Sequence, residues 1–314
     1  MSPIITLTLN PAVDVALTAD RLEPDQKIDC RNPVYHPGGG GINVARVVHR
    51  LGGATLAWFA GGGPVARLLH GLLDDEGVPS RMHEIAATTR QNISVTESET
   101  GNQFRLVLPG APVEEMEMSM LLDRLCRMKA YGDIVAASGS LPPGAPADTY
   151  ARVAACVHEQ GSRFALDTRG PSLLGALGAP LWLLKTNERE MTEAGRALHG
   201  EDDWRKTARR IVAEGKAEIV MVSLGAGGAA GFTREAEYIV TAPKVEPVST
   251  IGAGDSFMGA ALLRFSHGRD LRDALRLGAA AGTAAVLTPA TELCRPRDVW
   301  EILPEVAVRE GVEG

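Results

Sequence analysis

No run in this chain of 314 residues approaches eighteen apolar positions, which excludes a membrane-spanning helix. The amino terminus also lacks the basic segment and apolar core of about 7 to 15 residues that mark an export signal. Cytoplasmic placement is the expectation. Cysteine is sparse: Cys30, Cys126, Cys156 and Cys294 show neither CxxC spacing nor a neighbouring His pattern, so buried free thiols are expected in place of a metal site or disulfides. Positive charge is in deficit, with 32 Lys and Arg against 39 Asp and Glu, a net charge of −7. That balance argues against a nucleic-acid surface and leaves room for a local basic pocket taking a small phosphorylated ligand. Several nucleotide and hydrolase signatures are missing as well. The Gly-Lys pair Gly215-Lys216 is followed by Ala217 and lacks the upstream glycine of a P-loop. No GxGxxG opens the first βαβ unit, Met258 occupies the position where a nucleophile elbow around Ser256 needs glycine, and metalloprotease spacing is absent. Neither an internal repeat nor a low-complexity linker occurs.

What is present is a globular α/β chain, 45% hydrophobic, with ample material for a sizeable core. Short β-favouring runs recur at 4–9, 55–60, 80–84, 134–137, 163–167, 181–185 and 218–223, separated by helical patterns such as 64–75, and parallel βαβ winding accounts for them most simply. Two excursions break the alternation. Residues 13–33 are polar and punctuated, and 92–96 with 103–107 flank the turn Thr100-Gly101-Asn102, a hairpin signal. The two pieces are expected to pair as a small lid sheet, with Lys27 and Arg90 facing the cleft beneath; the alternative for either residue is a solvated strand edge. The expected division is a core of 1–11, 34–87 and 110–314 and a discontinuous lid of 12–33 and 88–109. In the helical segment 114–130, Met116, Met120, Leu121, Leu125 and Met128 are read as core filling.

The organising stretch is Ser249-Thr250-Ile251-Gly252-Ala253-Gly254-Asp255-Ser256-Phe257, a loop feeding a helix. Its glycines allow a sharp turn that presents N–H groups outward, and a helix amino terminus favours an anion there. Asp255 in that first turn has a bland reading, complementing the helix dipole. Its functional reading is a proton acceptor beside an anion hole. A second stretch, Pro37-Gly38-Gly39-Gly40-Gly41, runs straight into an amphipathic helix, which suits a backbone pressed against a ligand. The turn Ser138-Gly139-Ser140-Leu141-Pro142-Pro143-Gly144 follows a buried-type strand at the edge where α/β sheets gather ligands. Asn187 and Glu190 lie three apart at a helix start, where a capping pair is the plain alternative.

Taken together, GGGGINVAR at 38–46, SGSLPPG at 138–144, NERE at 187–190 and TIGAGD at 250–255 resemble the ribokinase-like carbohydrate kinase family over essentially the full length. The opening TLTLNPAVD at 6–14 resembles its phosphosugar branch, and Gly40 within four consecutive glycines resembles the minor-type bacterial 6-phosphofructokinases; relatives acting on fructose 1-phosphate or tagatose 6-phosphate usually carry Lys there. The resemblance implies a three-layer αβα core with a β lid. It also implies ATP-dependent phosphorylation of fructose 6-phosphate at its C1 hydroxyl, with Mg2+, and a homodimer built on the lid. By the same resemblance Asp255 is the general base, and Gly252, Ala253 and Gly254 form the anion hole. Asp14, Gly39, Gly40 and Asn43 contact sugar hydroxyls. Arg90 clamps the 6-phosphate with Ser140 and Lys27 nearby, and Lys27 also reaches the ATP phosphates. Lys185, Asn187, Ser223, Gly225, Gly228, Thr250, Gly254 and Thr283 serve the nucleotide, and Asn187 with Glu190 accompanies magnesium through water. The stretch Pro289-Ala290-Thr291-Glu292 departs from the family pattern on the adenine side. A catalytically inactive nucleotide and sugar-phosphate binding protein is the alternative of another class.

Overall fold

The computed structural model describes residues 3–127, 133–289 and 291–311, so Met128 and Ala290 lie outside the described residues. Strand β1 (Ile4–Thr8) is buried at every position, as a strand covered on both faces must be. Its parallel neighbours are β4 (Thr55–Gly61) and β8 (Ile134–Ser138). Beyond β4 lies β5 (Ser80–Glu84), and beyond β8 come β9 (Arg163–Asp167), β10 (Leu181–Asn187) and β11 (Ala217–Ser223), all parallel. Antiparallel strands β12 (Ala229–Phe232), β13 (Glu237–Thr241) and β14 (Ala307–Glu310) complete a ten-stranded sheet, ordered β14-β13-β12-β11-β10-β9-β8-β1-β4-β5.

Parallel strands need helical crossovers, and these cover both faces. On one face α3 (Glu115–Arg127), α4 (Thr149–Glu159), α5 (Pro171–Ala176), α6 (Glu188–His199) and α7 (Trp204–Ala213) bury Leu121, Tyr150, Leu173, Met191 and Ile211 against Leu7, Val135 and Leu184. On the other, α1 (Gly40–Arg50), α8 (Ala253–Ser266), α9 (Leu271–Val286) and α10 (Pro296–Ile302) bury Val44, Phe257, Ala280 and Val299 against Ile4, Ala136 and Leu183. Small residues let α8 and α9 lie close together: a Cβ on Gly278 would stand 3.0 Å from the Phe257 ring.

The two excursions form a separate four-stranded sheet in the order β3-β2-β6-β7. Here β2 (Ala12–Ala19) pairs antiparallel with β3 (Arg31–Gly38) and parallel with β6 (Arg90–Glu97), which turns back into β7 (Gln103–Leu106). Strand β3 carries this sheet past the expected boundary at 33 to Gly38, because its ladder with β2 ends at the pair Ala12 and Gly38. Val13 and Val15 pack on Ile42 and Ala45 of α1, with α2 (Gly63–Asp75) contributing Leu69 and Leu73 beneath.

Two expectations fail on packing grounds. Met116 and Met120 are 77% and 51% exposed, because α3 turns Met118, Leu121, Leu122 and Leu125 inward, a stripe at i, i+3, i+4 and i+7. The thiols are not all free either. Cys126 and Cys156 form a disulfide across neighbouring α3 and α4, and Cys30 is exposed, leaving Cys294 as the free buried thiol. A separation of 30 residues hid a pairing that the parallel crossovers bring together. Among the described residues, no helix is long and apolar enough to cross a membrane.

Helix α1 sits unusually close to β1. A Cβ on Gly41 would stand 2.3 Å from the Leu7 carbonyl oxygen, and backbone cannot step aside. Gly41→Ala should therefore destabilise by about 2 kcal/mol net, overpacking of up to about 3 kcal/mol outweighing a helix-propensity gain of about 1 kcal/mol. Urea unfolding at unchanged m-value checks this, and an unshifted midpoint would show that the two elements separate freely.

Candidate active site

Helix α8 begins at Gly252, which has φ of 75°, a left-handed conformation open to glycine, and no side chain caps the helix. The N–H groups of Ala253 and Gly254 are then left without intrahelical acceptors and face the cleft. Asp255 follows in the first turn. One carboxylate oxygen accepts from the Asn43 amide nitrogen at 2.9 Å, the other from Ser138 Oγ at 3.4 Å. Burial pushes its pKa up to about 6 and the charge of Asp167 adds to that; Asn43, Lys185 and Ser138 pull the other way. A carboxylate so placed is ionised at neutral pH yet basic enough to accept a proton.

Lys185 comes up from the end of β10 against the same helix start, where a Cβ on Gly254 would stand 2.8 Å from its Nζ. Its ammonium pairs with Asp167 at 2.7 Å. Burial pulls the lysine pKa down, but the Asp167 charge and hydrogen bond outweigh this and hold it above its ordinary value. The cation therefore stays charged beside the uncapped start of α8.

The glycine loop lies between two strand ends. Gly39, at φ 112°, would press a Cβ to 2.7 Å from Thr8, and Gly40 would press one to 2.2 Å from Ser138 Oγ. Asp14 accepts from Asn92 at 2.8 Å within the second sheet. Arg90 donates to the carbonyls of Leu108 and Asn10, while its Nε is buried with no partner. Burial lowers the Arg90 pKa; the charge of Asp14 opposes this, and that of Arg169 adds to it. Ser140 joins this group through Asn10, whose amide reaches Ser140 Oγ at 3.2 Å.

Of the residues expected to serve a nucleotide, Asn187, Ser223 and Gly225 line one open groove of about 580 Å³. Thr250 is exposed just before α8, and Thr283 is partly exposed on α9. Gly228 is required by packing, since a Cβ there would lie 2.0 Å from the Val240 carbonyl oxygen. Asn187 and Glu190 form a capping box: Glu190 N donates to Asn187 Oδ1 at 2.9 Å, and Glu190 Oε2 accepts from Asn187 N and Thr186 Oγ1. No cluster of three or more His, Cys, Asp or Glu suited to a metal occurs among the described residues. A larger hollow of about 770 Å³, between α7, β12 and β13, contains none of these residues.

Lys27 does not face this chain's own cleft, where it was expected. It is 90% exposed, pairs with Asp29 at 3.5 Å, and lies in the β2–β3 connection. Asp14 is at the cleft end of β2, whereas Lys27 lies beyond the far end, about 20 Å of strand away. Asp167, Ser138, Asn10 and Arg46 were not singled out from sequence. Each acts through a contact between distant segments, although the strand-end position of Asp167 and Ser138 was a usable signal.

A model of the pfkB family of carbohydrate kinases matches residues 5–298. The ATP-dependent 6-phosphofructokinase isozyme 2 of Mycobacterium tuberculosis (strain CDC 1551 / Oshkosh) is 44% identical over 297 residues, covering 94% of this chain and 87% of its own length. The protein of the same name from Escherichia coli (strain K12) is 40% identical over 304 residues, covering 96% and 98%. A 1-phosphofructokinase of Bacillus subtilis (strain 168) is 32% identical over 306 residues, covering 97% and 99%. Among solved structures, Escherichia coli phosphofructokinase-2 in complex with fructose-6-phosphate superposes with a TM-score of 0.88 at 40% identity, covering 97% of this chain and 99% of that one. A tetrameric inhibited form of that enzyme gives 0.89 at the same identity and coverage.

The carboxyl of Asp255 should titrate near pH 6 in the unliganded protein. Asp167→Asn removes a like charge and releases Lys185 from its partner, so both effects favour the Asp255 anion and the titration should move to lower pH. Carboxyl carbon NMR reads this directly; an upward or absent movement would mean that Asp167 does not act on Asp255.

Proposed function

The chain belongs to the pfkB family of carbohydrate kinases, and from that premise we propose that it transfers the γ-phosphoryl group of ATP to the C1 hydroxyl of fructose 6-phosphate, giving fructose 1,6-bisphosphate and ADP. It is a sugar-phosphate kinase of ribokinase-like fold. The observation that carries the reading is the placement of Asp255 at an uncapped helix start, between the glycine loop and Lys185. In this reading the C1 oxygen bonds to the γ-phosphorus as the bond to the ADP oxygen breaks, and the hydroxyl proton passes to Asp255. The Ala253 and Gly254 N–H groups and Lys185 face the oxygens on which charge collects. Asp14, Asn43 and the Gly39 and Gly40 backbone orient the sugar. Arg90 holds its phosphate, a role that the unpartnered buried Nε supports. Mg2+ would neutralise the nucleotide phosphates, held through water near Asn187 and Glu190.

Gly40 also bears on the sugar. Since a Cβ there already meets Ser138, this loop has no room for a lysine at that position without moving the strand end. That supports fructose 6-phosphate over the 1-phosphate, the substrate of a glycolytic kinase in the cytoplasm in this reading. The exposed apolar residues Val34, Tyr35, Phe104 and Leu106 on the outer strands of the lid sheet support a homodimer through that sheet. A monomeric mass in solution at working concentration would remove that proposal; the tetrameric form described for the Escherichia coli enzyme makes the mass measurement informative in the other direction too.

ADP release with MgATP should be fastest with fructose 6-phosphate, against fructose 1-phosphate, tagatose 6-phosphate and fructose. Asp255→Asn should lose at least about a hundredfold in turnover, the scale of a removed general base. Arg90→Ala should raise KM for the sugar phosphate while sparing KM for ATP. Binding of both substrates without turnover by the unaltered protein would instead identify a sensor.

A further inference from the structure

Helix α1 places Asn43 and Arg46 three residues apart, hence on one side. The Arg46 side chain is wholly buried and every nitrogen is engaged. Nε and Nη2 grip the Glu76 carboxylate at 2.9 and 2.6 Å, while Nη1 donates to Pro37 O at 3.0 Å, Asn43 Oδ1 at 3.1 Å and Thr291 O at 3.5 Å. The Asn43 amide is thus held between a group that can only donate and a carboxylate that, when ionised, can only accept. An amide has two ends that geometry alone hardly distinguishes, but only one orientation satisfies both neighbours. With the oxygen on Arg46, the NH2 must face Asp255.

We propose that Arg46 is a positioning residue for proton transfer: it fixes the Asn43 amide so that its NH2 holds the Asp255 carboxylate in place. This rests on the reading of Asp255 as the base. Arg46 itself feels Glu76, Arg50, Asp14 and His36, and Asp255 is faced by Asp167, Lys185, Ser138 and Asn43. Arg46 touches no reacting atom; its effect passes through Asn43. The same guanidinium also ties the end of β3 and the loop at Thr291 to α1, so the amide is anchored to the lid and to the segment after α9.

The test removes the ion pair as a unit, Arg46→Met with Glu76→Met, because a single removal would strand a buried charge. Turnover of fructose 6-phosphate with MgATP is measured across pH, in the unaltered background and in Asn43→Ala. The paired variant should lose about tenfold or more in kcat. The acid limb of its kcat/KM should rise above that of the unaltered enzyme, since Asp255 loses a donor that favours its anion. In the Asn43→Ala background the same pair should cost less than about threefold, as no amide remains to orient. Arg46→Lys keeps a charge against Glu76 without the planar fork, and should show the same acid-limb movement even if the paired variant fails to fold. Losses that multiply across the two backgrounds, or an acid limb that stays in place, would overturn the proposal. Inactivity of the unaltered protein with both substrates would refute the functional reading instead.

Discussion

The structure depends on two uncapped helix starts that meet at one place. Helices α6, α7 and α9 each begin under a side-chain cap from Asn187, Asp203 or Asp270, so their terminal N–H groups are spent. Helices α1 and α8 begin instead at Gly39 and Gly252, both with positive φ and neither with a capping side chain. Uncapped ends cost stability unless something else satisfies them. Both face the carboxyl edge of the parallel strands, where β1, β8, β9 and β10 deliver Thr8, Ser138, Asp167 and Lys185. Polarity of the helices and polarity of the sheet therefore converge on one place, and the chemistry follows from that convergence.

Much of this was legible in the chain. Continuous apolar runs marked the parallel strands, and the two glycine stretches marked the open helix starts because each leads directly into a helical pattern. The lid emerged from hairpin punctuation between strands that otherwise alternate with helices. What stayed hidden depends on contact between remote segments. Asp167 belongs to the site only because β9 and β10 are adjacent, and Arg46 only because α2 ends beside α1 with Glu76. Lys27 stands away from its own chain's cleft for a related reason: a polar excursion says that residues leave the core, but not which end of a strand they leave from. The methionines of α3 failed on phase, since 116 and 120 flank the buried stripe that 118 and 121 occupy.

Buried charge is the other theme. Arg46 with Glu76 and Lys185 with Asp167 are paired charges taken largely out of water, an arrangement whose desolvation cost is seldom recovered as stability. Both pairs adjoin Asp255 through a single further contact, Asn43 in one case and the Gly254 backbone in the other. Their positions fit control of a carboxylate better than they fit strengthening of the core, which already has aliphatic clusters on both faces of the sheet.

That control has to hold in two electrostatic states. In the unliganded protein, burial and Asp167 raise the Asp255 pKa to about 6, while Asn43, Lys185 and Ser138 restrain it. In the proposed reaction a polyphosphate at the open end of α8 would add negative charge near the carboxylate, which on its own would favour its protonation. Lys185 is the group that can offset this, because Asp167 keeps it charged before any phosphate arrives. The same aspartate thus raises the basicity of Asp255 directly and preserves the cation that keeps it ionised. A neutral residue at 167 would leave Asp255 less basic, and an aspartate without Lys185 would push Asp255 further toward its acid. The poise of Asp255 is a property of the trio, and the parallel order β9-β10 beside the start of α8 is what assembles it.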